Sequence, residues 1–264
     1  MAQTIRYFYT SHVGRVRKEN QDNFFCNGVF LPHRNHGTDD ILEGRVTTDK
    51  DPVFAIFDGM GGEECGEMAA YLAAKEMAEF PFGKGMEKDF FDFCKIANRR
   101  ICDYTKEENI SSMGTTAAIM KFTKEDCGIC NIGDSKIFLL SEGILNQLSM
   151  DHVGIAVFGK KPPLTQNLGI PEDEMLIDPY AAIGSYRPGD VYLICSDGVT
   201  DMLTVERIQE ILTKDSGHDA ARQLLSEALE NGGKDNTSFI LLYVEKKKTV
   251  FEKLKEVRLW QQKK

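Results

Sequence analysis

The chain has 264 residues, enough to bury a core as one large domain or two small ones without disulfides or metal ions to hold it together. It carries 41 acidic against 32 Lys and Arg residues, a net charge of -9. This balance argues against a nucleic-acid backbone or an anionic membrane as the main partner.

The opening residues, MAQTIRYFYTSHVG, lack the apolar core of a signal peptide, and no apolar run reaches the length of a membrane span. The seven cysteines are scattered through apolar segments such as YLICS. An odd, scattered set favours reduced, buried thiols over a disulfide framework. We therefore expect a cytoplasmic protein.

Apolar periodicity predicts short strands and amphipathic helices that come in blocks. In chain order, the predicted elements are strands near NFFCNGVFL and VFAIF, helices in GEMAAYLAAKEMAEF and 88–106, strands in TTAAIMKF, CGICNI, KIFLL and ILNQL, a strand in VYLICS, helices in TVERIQEILTK and DAARQLLSEALEN, and a strand in TSFILLYV. The links TKED and SEG have hairpin length, so the strands they join should be antiparallel neighbours. Residues 150–188 have weak periodicity and are predicted to form a long irregular loop, and residues 28–51 are predicted to form a second long loop. The blocks favour an α+β fold, an antiparallel β-sandwich with helices on its outer faces.

The segment VFAIFDGMGGEECGEMAA (53–70) ends an apolar strand in an acid followed by glycines. It is not a phosphate loop, because Gly66 is followed by Glu67 and Met68 where such a loop has Lys and Ser or Thr. It is not a dinucleotide fingerprint either, because Glu64 stands where the third glycine belongs. A loop this acidic would repel phosphate unless a cation lies between them.

Aspartate lies beside or near glycine at the end of four apolar strands. These residues are Asp58, Asp134, Asp197 and Asp235. Asp beside Gly is common in turns, so each of these positions alone could be structural. Strand ends gather at the ends of a sandwich, however, so the four carboxylates can converge. Clustered oxygen ligands suit Mg²⁺ or Mn²⁺. A pair of such ions would activate water and hold a phosphoryl group.

A zinc site is not expected. Cys127 and Cys130 lie three apart in a predicted strand, so their side chains point to opposite faces and cannot share a metal. The five histidines do not form a cluster in the sequence.

Six motifs, in this order within residues 11–244, resemble those of the type 2C metal-dependent protein phosphatases (the PPM family): GRVRKENQD, FDGMGGEECGE, MGTTA, NIGDSKIFLL, CSDGVTDML and GGKDNTS. The resemblance implies a Ser/Thr phosphoprotein phosphatase of bacterial type, in which a central β-sandwich has helices on both sides, and two Mg²⁺ or Mn²⁺ ions per chain with room for a third.

The resemblance also implies roles for single residues. Asp58 would bridge the two ions, Gly59 would lend its carbonyl oxygen, and Asp197 and Asp235 would complete the pair. Asp22 would act through water, and Asp134 with Asp197 would hold the third, looser ion. Arg17 matches the arginine that binds substrate phosphate, a role that suits its planar set of donors. The alternative for Arg17 is a surface ion pair with Glu19.

Three departures from the family pattern stand out. Gln21 replaces a Glu found in many members, which removes a charge near the metals. Met60 stands where some eukaryotic members have a His thought to be the general acid, so a water or another group would protonate the leaving group. The segment 151–169 is shorter than the usual bacterial flap, which bears on substrate preference.

We expect a phosphatase domain over residues 1–245 and a basic extension over 246–264. From Glu245 onward the chain holds eight Lys and Arg against three Glu, and Val250, Leu254 and Val257 fall on one helical face. We expect this helix to pack on the domain. The alternative is a helix that docks on an acidic partner or membrane surface.

The expected partners are phosphoproteins phosphorylated by a Ser/Thr kinase, and the chain is expected to be a monomer. Two other functions fit part of the sequence. A pseudophosphatase, a binding module without turnover, would keep the fold but lose metal ligands, and the matched aspartates are all present. A two-metal hydrolase of nucleotides or nucleic acid would fit the metal chemistry but not the acidic charge or the ordered motifs.

Overall fold

The computed structural model describes residues 2–60, 65–156 and 161–246 and contains two antiparallel sheets. The strands are β1 (Thr4–His12), β2 (Asp22–Cys26), β3 (Leu42–Thr47), β4 (Val53–Met60), β5 (Gly114–Thr115), β6 (Ala117–Phe122), β7 (Asp126–Ile132), β8 (Lys136–Ser141), β9 (Ile144–Gln147), β10 (Tyr180–Ser185), β11 (Val191–Cys195) and β12 (Thr237–Glu245). The helices are α1 (Gly66–Glu79), α2 (Met86–Glu107), α3 (Asp197–Thr200), α4 (Val205–Lys214) and α5 (His218–Glu230).

Each sheet pairs strands that are distant in the sequence. The first sheet runs β3-β1-β12-β11-β8-β9, and the second runs β10-β7-β6-β4-β2 with β5 paired to β4. The predicted hairpins β6–β7 and β8–β9 are confirmed. Between them the chain crosses from the second sheet to the first through Gly133, Asp134 and Ser135. This crossing brings Asp134 to the end of the sandwich at which the candidate site lies.

Three apolar layers hold the sheets and helices together. Between the sheets, side chains such as Phe24, Phe54, Ile194 and Ile240 are fully buried, because alternate residues of each strand face inward. Helices α1 and α2 cover the outer face of the second sheet, and helices α3, α4 and α5 cover that of the first. The four-layer αββα arrangement predicted from the sequence is confirmed.

All the predicted helices and strands are present, but three strands and the short helix α3 were not predicted. The two segments predicted as long loops contain β3 and β10, and β1 was not predicted at all. Strands β3 and β10 end their sheets and are largely exposed, so they carry no buried alternation for the sequence to reveal. The strand predicted in NFFCNGVFL stops at Cys26, since Asn27 and Gly28 take positive φ and turn the chain.

The cysteine geometry follows the prediction. Cys127 packs in the layer between the sheets, whereas Cys130 packs under α1 and α2 on the opposite face of β7. Over the described ranges, no helix is both long enough and apolar enough to cross a membrane. Most of the basic extension predicted over 246–264, including its amphipathic face, lies outside the described residues.

Candidate metal centre

A cleft of about 310 Å³ opens at one end of the sandwich, where strand ends meet, and six of the seven residues singled out by the sequence line it. It is lined by Arg17, Gln21, Asp58, Gly59, Met60, Thr116, Asp134, Lys161, Pro162, Leu164, Asp197 and Asp235. The four aspartates come from four different strand ends. The structure thus brings together the carboxylates that the sequence predicted would converge. The seventh residue, Asp22, lies beneath the cleft and is not part of its lining.

The end of β4 that carries Asp58 is fixed by the segment around β5. The Asp58 backbone N–H donates to Thr116 Oγ1 over 3.1 Å, and the Thr116 N–H donates back to the Asp58 carbonyl over 2.9 Å. The Thr115 hydroxyl donates to the same carbonyl over 3.0 Å. The two threonines of the MGTTA motif therefore position the strand end that presents the central carboxylate.

The glycines after Asp58 and Asp197 are required by close backbone approach. A Cβ added to Gly59 would lie 2.2 Å from the Gly66 carbonyl oxygen and 2.4 Å from that of Gln21. A Cβ added to Gly198 would lie 1.9 Å from the Asn236 carbonyl oxygen. A side chain at either position would push apart the segments that carry the aspartates, which explains the Asp-Gly pairs without any need for positive φ.

Asp22 supports the cleft from below. It pairs with Asp58 in the β2–β4 register and accepts a hydrogen bond from Ser196 Oγ over 2.8 Å. Burial raises the pKa of Asp22 to about 6, although hydrogen bonds from Ser238 and Ser196 oppose this shift. Ser196 directly precedes Asp197, so one serine connects Asp22 to the segment that carries a second predicted ligand.

The cleft concentrates negative charge around Asp58. Burial raises the pKa of Asp58 well above its usual value, and the nearby charges of Asp22, Asp134 and Asp235 raise it further. Carboxylates held this close repel one another, and a bound cation would relieve that repulsion. The electrostatics of the cleft therefore fit a divalent metal centre.

The donor set also fits Mg²⁺ or Mn²⁺ rather than zinc, because the aspartates in the lining offer only oxygen ligands. Within residues 2–60, 65–156 and 161–246, no three His, Cys, Asp or Glu side chains are arranged so that they could hold one ion. An ion here would take its remaining ligands from backbone carbonyls and water, as Mg²⁺ does in sites with one or two carboxylates. Asp58, Asp197, Asp235 and the carbonyl of Gly59 are the groups that would hold a pair.

Lys161 is a cleft residue that the sequence did not reveal. Its ammonium forms ion pairs with Asp197, with Asp134 at 3.3 Å and with Asp201 at 3.7 Å. Lys161 lies in the irregular segment after β9, in which no periodicity predicts where a side chain points. Asp201 did carry a signal, since it lies four residues after Asp197, one helical turn along the CSDGVTDML motif.

Arg17 lies at the rim of the cleft and does not pair with Glu19 in the manner of the alternative considered from the sequence. Its Nη2 atom donates to Asp235 Oδ2 over 2.7 Å, and about half of its side chain, 52%, is exposed. The guanidinium therefore borders both a predicted metal ligand and the open space above it.

Comparison with known proteins identifies the family of the chain. The profile of the protein phosphatase 2C family matches residues 32–231, well over half of the chain. The chain is 27% identical over 252 residues to the serine/threonine phosphatase stp of Listeria innocua, covering 87% of this chain and 92% of that protein. It is also 27% identical over 252 residues to the serine/threonine protein phosphatase PstP of Mycobacterium tuberculosis, covering 90% of this chain. This chain spans only 44% of the length of that relative.

Solved structures of the mycobacterial protein share the fold. A crystal structure of PstP superposes with a TM-score of 0.75 at 25% identity, covering 92% of this chain and 99% of that one. The PstP catalytic domain in complex with two manganese ions superposes with a TM-score of 0.73 at 26% identity, covering 93% of this chain and 100% of that one. A chain with this fold can therefore hold two ions of the kind that the cleft favours.

Proposed function

Because the chain belongs to the protein phosphatase 2C family, we propose that it hydrolyses phosphoserine and phosphothreonine in proteins with the help of two Mg²⁺ or Mn²⁺ ions. The observation that carries this proposal is the convergence of Asp58, Asp134, Asp197 and Asp235 on one cleft from four distant strand ends. A pair of ions bound there would supply a water of lowered pKa and would stabilise charge on the phosphoryl group.

The residues of the chain take complementary parts in this proposal. Asp58, Asp197, Asp235 and the Gly59 carbonyl would hold the ions, and Asp22 would bind through water. Arg17, exposed at the rim, binds the phosphoryl oxygens of the substrate through its planar set of donors. Its ion pair with Asp235 keeps the guanidinium at the mouth of the cleft before substrate arrives.

Protonation of the leaving group falls to water or to another cleft group, because Met60 has no proton to give. Met60 lines the cleft next to Gly59. A thioether contributes an apolar contact beside the reacting groups and no acid. The alternative of a pseudophosphatase gains no support, since every matched aspartate is present and those that line the cleft face one space.

The finer points expected from the sequence stay predictions. These are a monomeric state, substrates supplied by a Ser/Thr kinase, a cytoplasmic location, and a domain boundary near residue 245.

The proposal is tested by phosphate release from a phosphothreonine peptide and from a chromogenic aryl phosphate, measured with Mn²⁺, with Mg²⁺ and with an excess of chelator. We expect turnover of both substrates that disappears with chelator and returns when the ion is restored. A nucleotide triphosphate and a DNA oligonucleotide serve as control substrates. Hydrolysis of these controls in preference to the phosphopeptide would overturn the proposal.

A further inference from the structure

Lys161 lies where the resemblance implies the third, looser metal ion. Asp134 and Asp197, the two carboxylates implied for that ion, are both paired with the Lys161 ammonium, and Asp201 is its third partner. Three carboxylates therefore surround the ammonium, as they would surround a bound metal cation. A lysine Nζ and a divalent ion cannot both occupy this space, because like charges a few ångströms apart repel strongly.

The backbone holds Lys161 at this position. The residues that follow it are joined to 152–154, since Gly154 N–H donates to the Pro163 carbonyl over 2.8 Å and Thr165 N–H donates to the His152 carbonyl over 2.9 Å. His152 in turn exchanges hydrogen bonds with Gly133, the residue before Asp134. Lys161 is thus tied through a short ladder to the very segment that carries one of its carboxylate partners.

The ammonium of Lys161 lies among three carboxylates, those of Asp134, Asp197 and Asp201. A side chain in this setting supplies a permanent positive charge. It neutralises Asp134 and Asp197 without any ion from solution.

On these grounds we propose that the Lys161 ammonium takes the place of a third metal ion between Asp134 and Asp197, so that the chain works with two ions. The inference rests on the proposed function, because it assumes a metal centre at Asp58, Asp197 and Asp235. Lys161 acts as a positioning residue: it neutralises and orients Asp197, one of the carboxylates that would hold the two metal ions.

The test counts the Mn²⁺ ions bound to the full chain by equilibrium dialysis with elemental analysis, together with calorimetric titration of the metal-free protein. We expect two ions on the wild type and three on Lys161→Gln. At high Mn²⁺ concentration, a third ion should bind to the wild type at least about tenfold more weakly than to Lys161→Gln. Lys161→Arg keeps the positive charge and should bind two ions. Lys18→Gln removes the same charge from an exposed neighbour of Arg17 and should also bind two.

Equal ion counts and affinities for the wild type and Lys161→Gln would overturn the inference. If Lys161→Gln does not melt cooperatively, Lys161→Met provides a second neutral side chain of similar length for the same comparison. A protein that binds no Mn²⁺ in any variant would contradict the proposed function itself. A protein that binds Mn²⁺ and releases phosphate, but whose ion count ignores Lys161, would contradict only the inference.

Discussion

Arg17 Nη2 donates to Asp235 Oδ2 over 2.7 Å, which joins a residue near the start of the chain to one near the end of the phosphatase fold. The pair sits at the mouth of the cleft, with 52% of the arginine side chain and 33% of the aspartate side chain exposed. An ion pair this exposed contributes at most about 1 kcal/mol. Arg17 can therefore leave Asp235 for a substrate phosphate at little cost.

Replacing Arg17 by Ala should weaken substrate binding more than it weakens metal binding. We expect KM for a phosphothreonine peptide to rise about tenfold, because a charge-assisted pair of hydrogen bonds to phosphate is lost. The apparent Mn²⁺ affinity should change by less than about fivefold, in keeping with the weak pair to Asp235. Lys18→Ala, at the adjacent exposed position, is the control. An unchanged KM in Arg17→Ala would remove Arg17 from the substrate site.

Gly59→Ala should disturb the cleft although the change adds only one methyl group. The new Cβ would meet backbone oxygen atoms of Gly66 and Gln21 at 2.2 and 2.4 Å, so the strand end must move. We expect a loss of about 2 kcal/mol in the free energy of unfolding. A displacement of Asp58 by about 1 Å would lower kcat about 100-fold.

Gly184→Ala is the matched control for that change. A Cβ at Gly184 would have open space around it, and its φ is compatible with alanine. Thermal melting and peptide turnover should both stay close to wild type. Wild-type turnover by Gly59→Ala would mean that the close approach of these backbones does not position the metal ligands.

The pH dependence of stability should reveal the ion pair between α4 and α5. Glu227 accepts from Arg207 Nε over 2.8 Å and from Nη2 over 2.6 Å. The two hydrogen bonds from Arg207, with a third from Gln223, lower the pKa of Glu227 to about 2. A lowered pKa means that the folded state favours the charged form, so this stabilisation is complete above the ordinary Glu pKa and is lost as pH falls toward 2.

Glu227→Gln should therefore lower the melting temperature at pH 7 by about 3 °C, the effect of about 1 kcal/mol after allowance for solvent screening. The difference from wild type should shrink steadily as pH falls below about 4. Glu210→Gln removes the more exposed partner of Arg207 and should have a smaller effect at pH 7. A difference that stays constant from pH 7 to pH 3 would show that Glu227 stabilises the helices by packing rather than by charge.

The sequence predicted the layers of the fold and the convergence of the aspartates because both depend on local patterns. Buried strands such as β4, β6 and β12 are continuous apolar runs, and each Asp-Gly pair marks where such a run ends. Edge strands β3 and β10 lack this pattern, since one or both of their faces meet solvent. Strand β1 lies between β3 and β12, but its polar and aromatic residues do not form a continuous apolar run.

The contacts inside the cleft could not be predicted, because they depend on tertiary geometry. Lys161 comes from an irregular segment, and nothing in its local sequence places its ammonium on Asp134. Likewise, the pairing of Arg17 with Asp235 joins residues 218 positions apart. A motif gives the identity of a ligand, but the neighbours that neutralise it are brought there by the packing of the two sheets.

Whether Asp58 belongs to a metal centre that hydrolyses phosphopeptides is decided by kcat/KM for a phosphothreonine peptide in Mn²⁺, measured for the wild type and for Asp58→Asn. Asp126→Asn, at the exposed start of β7, is the control for loss of one carboxylate, and circular dichroism confirms folding. We predict a loss of about a thousandfold for Asp58→Asn, equivalent to about 4 kcal/mol of transition-state stabilisation, and wild-type activity for Asp126→Asn. Near-normal Mn²⁺-dependent turnover by a folded Asp58→Asn variant would show that Asp58 is not part of such a metal centre.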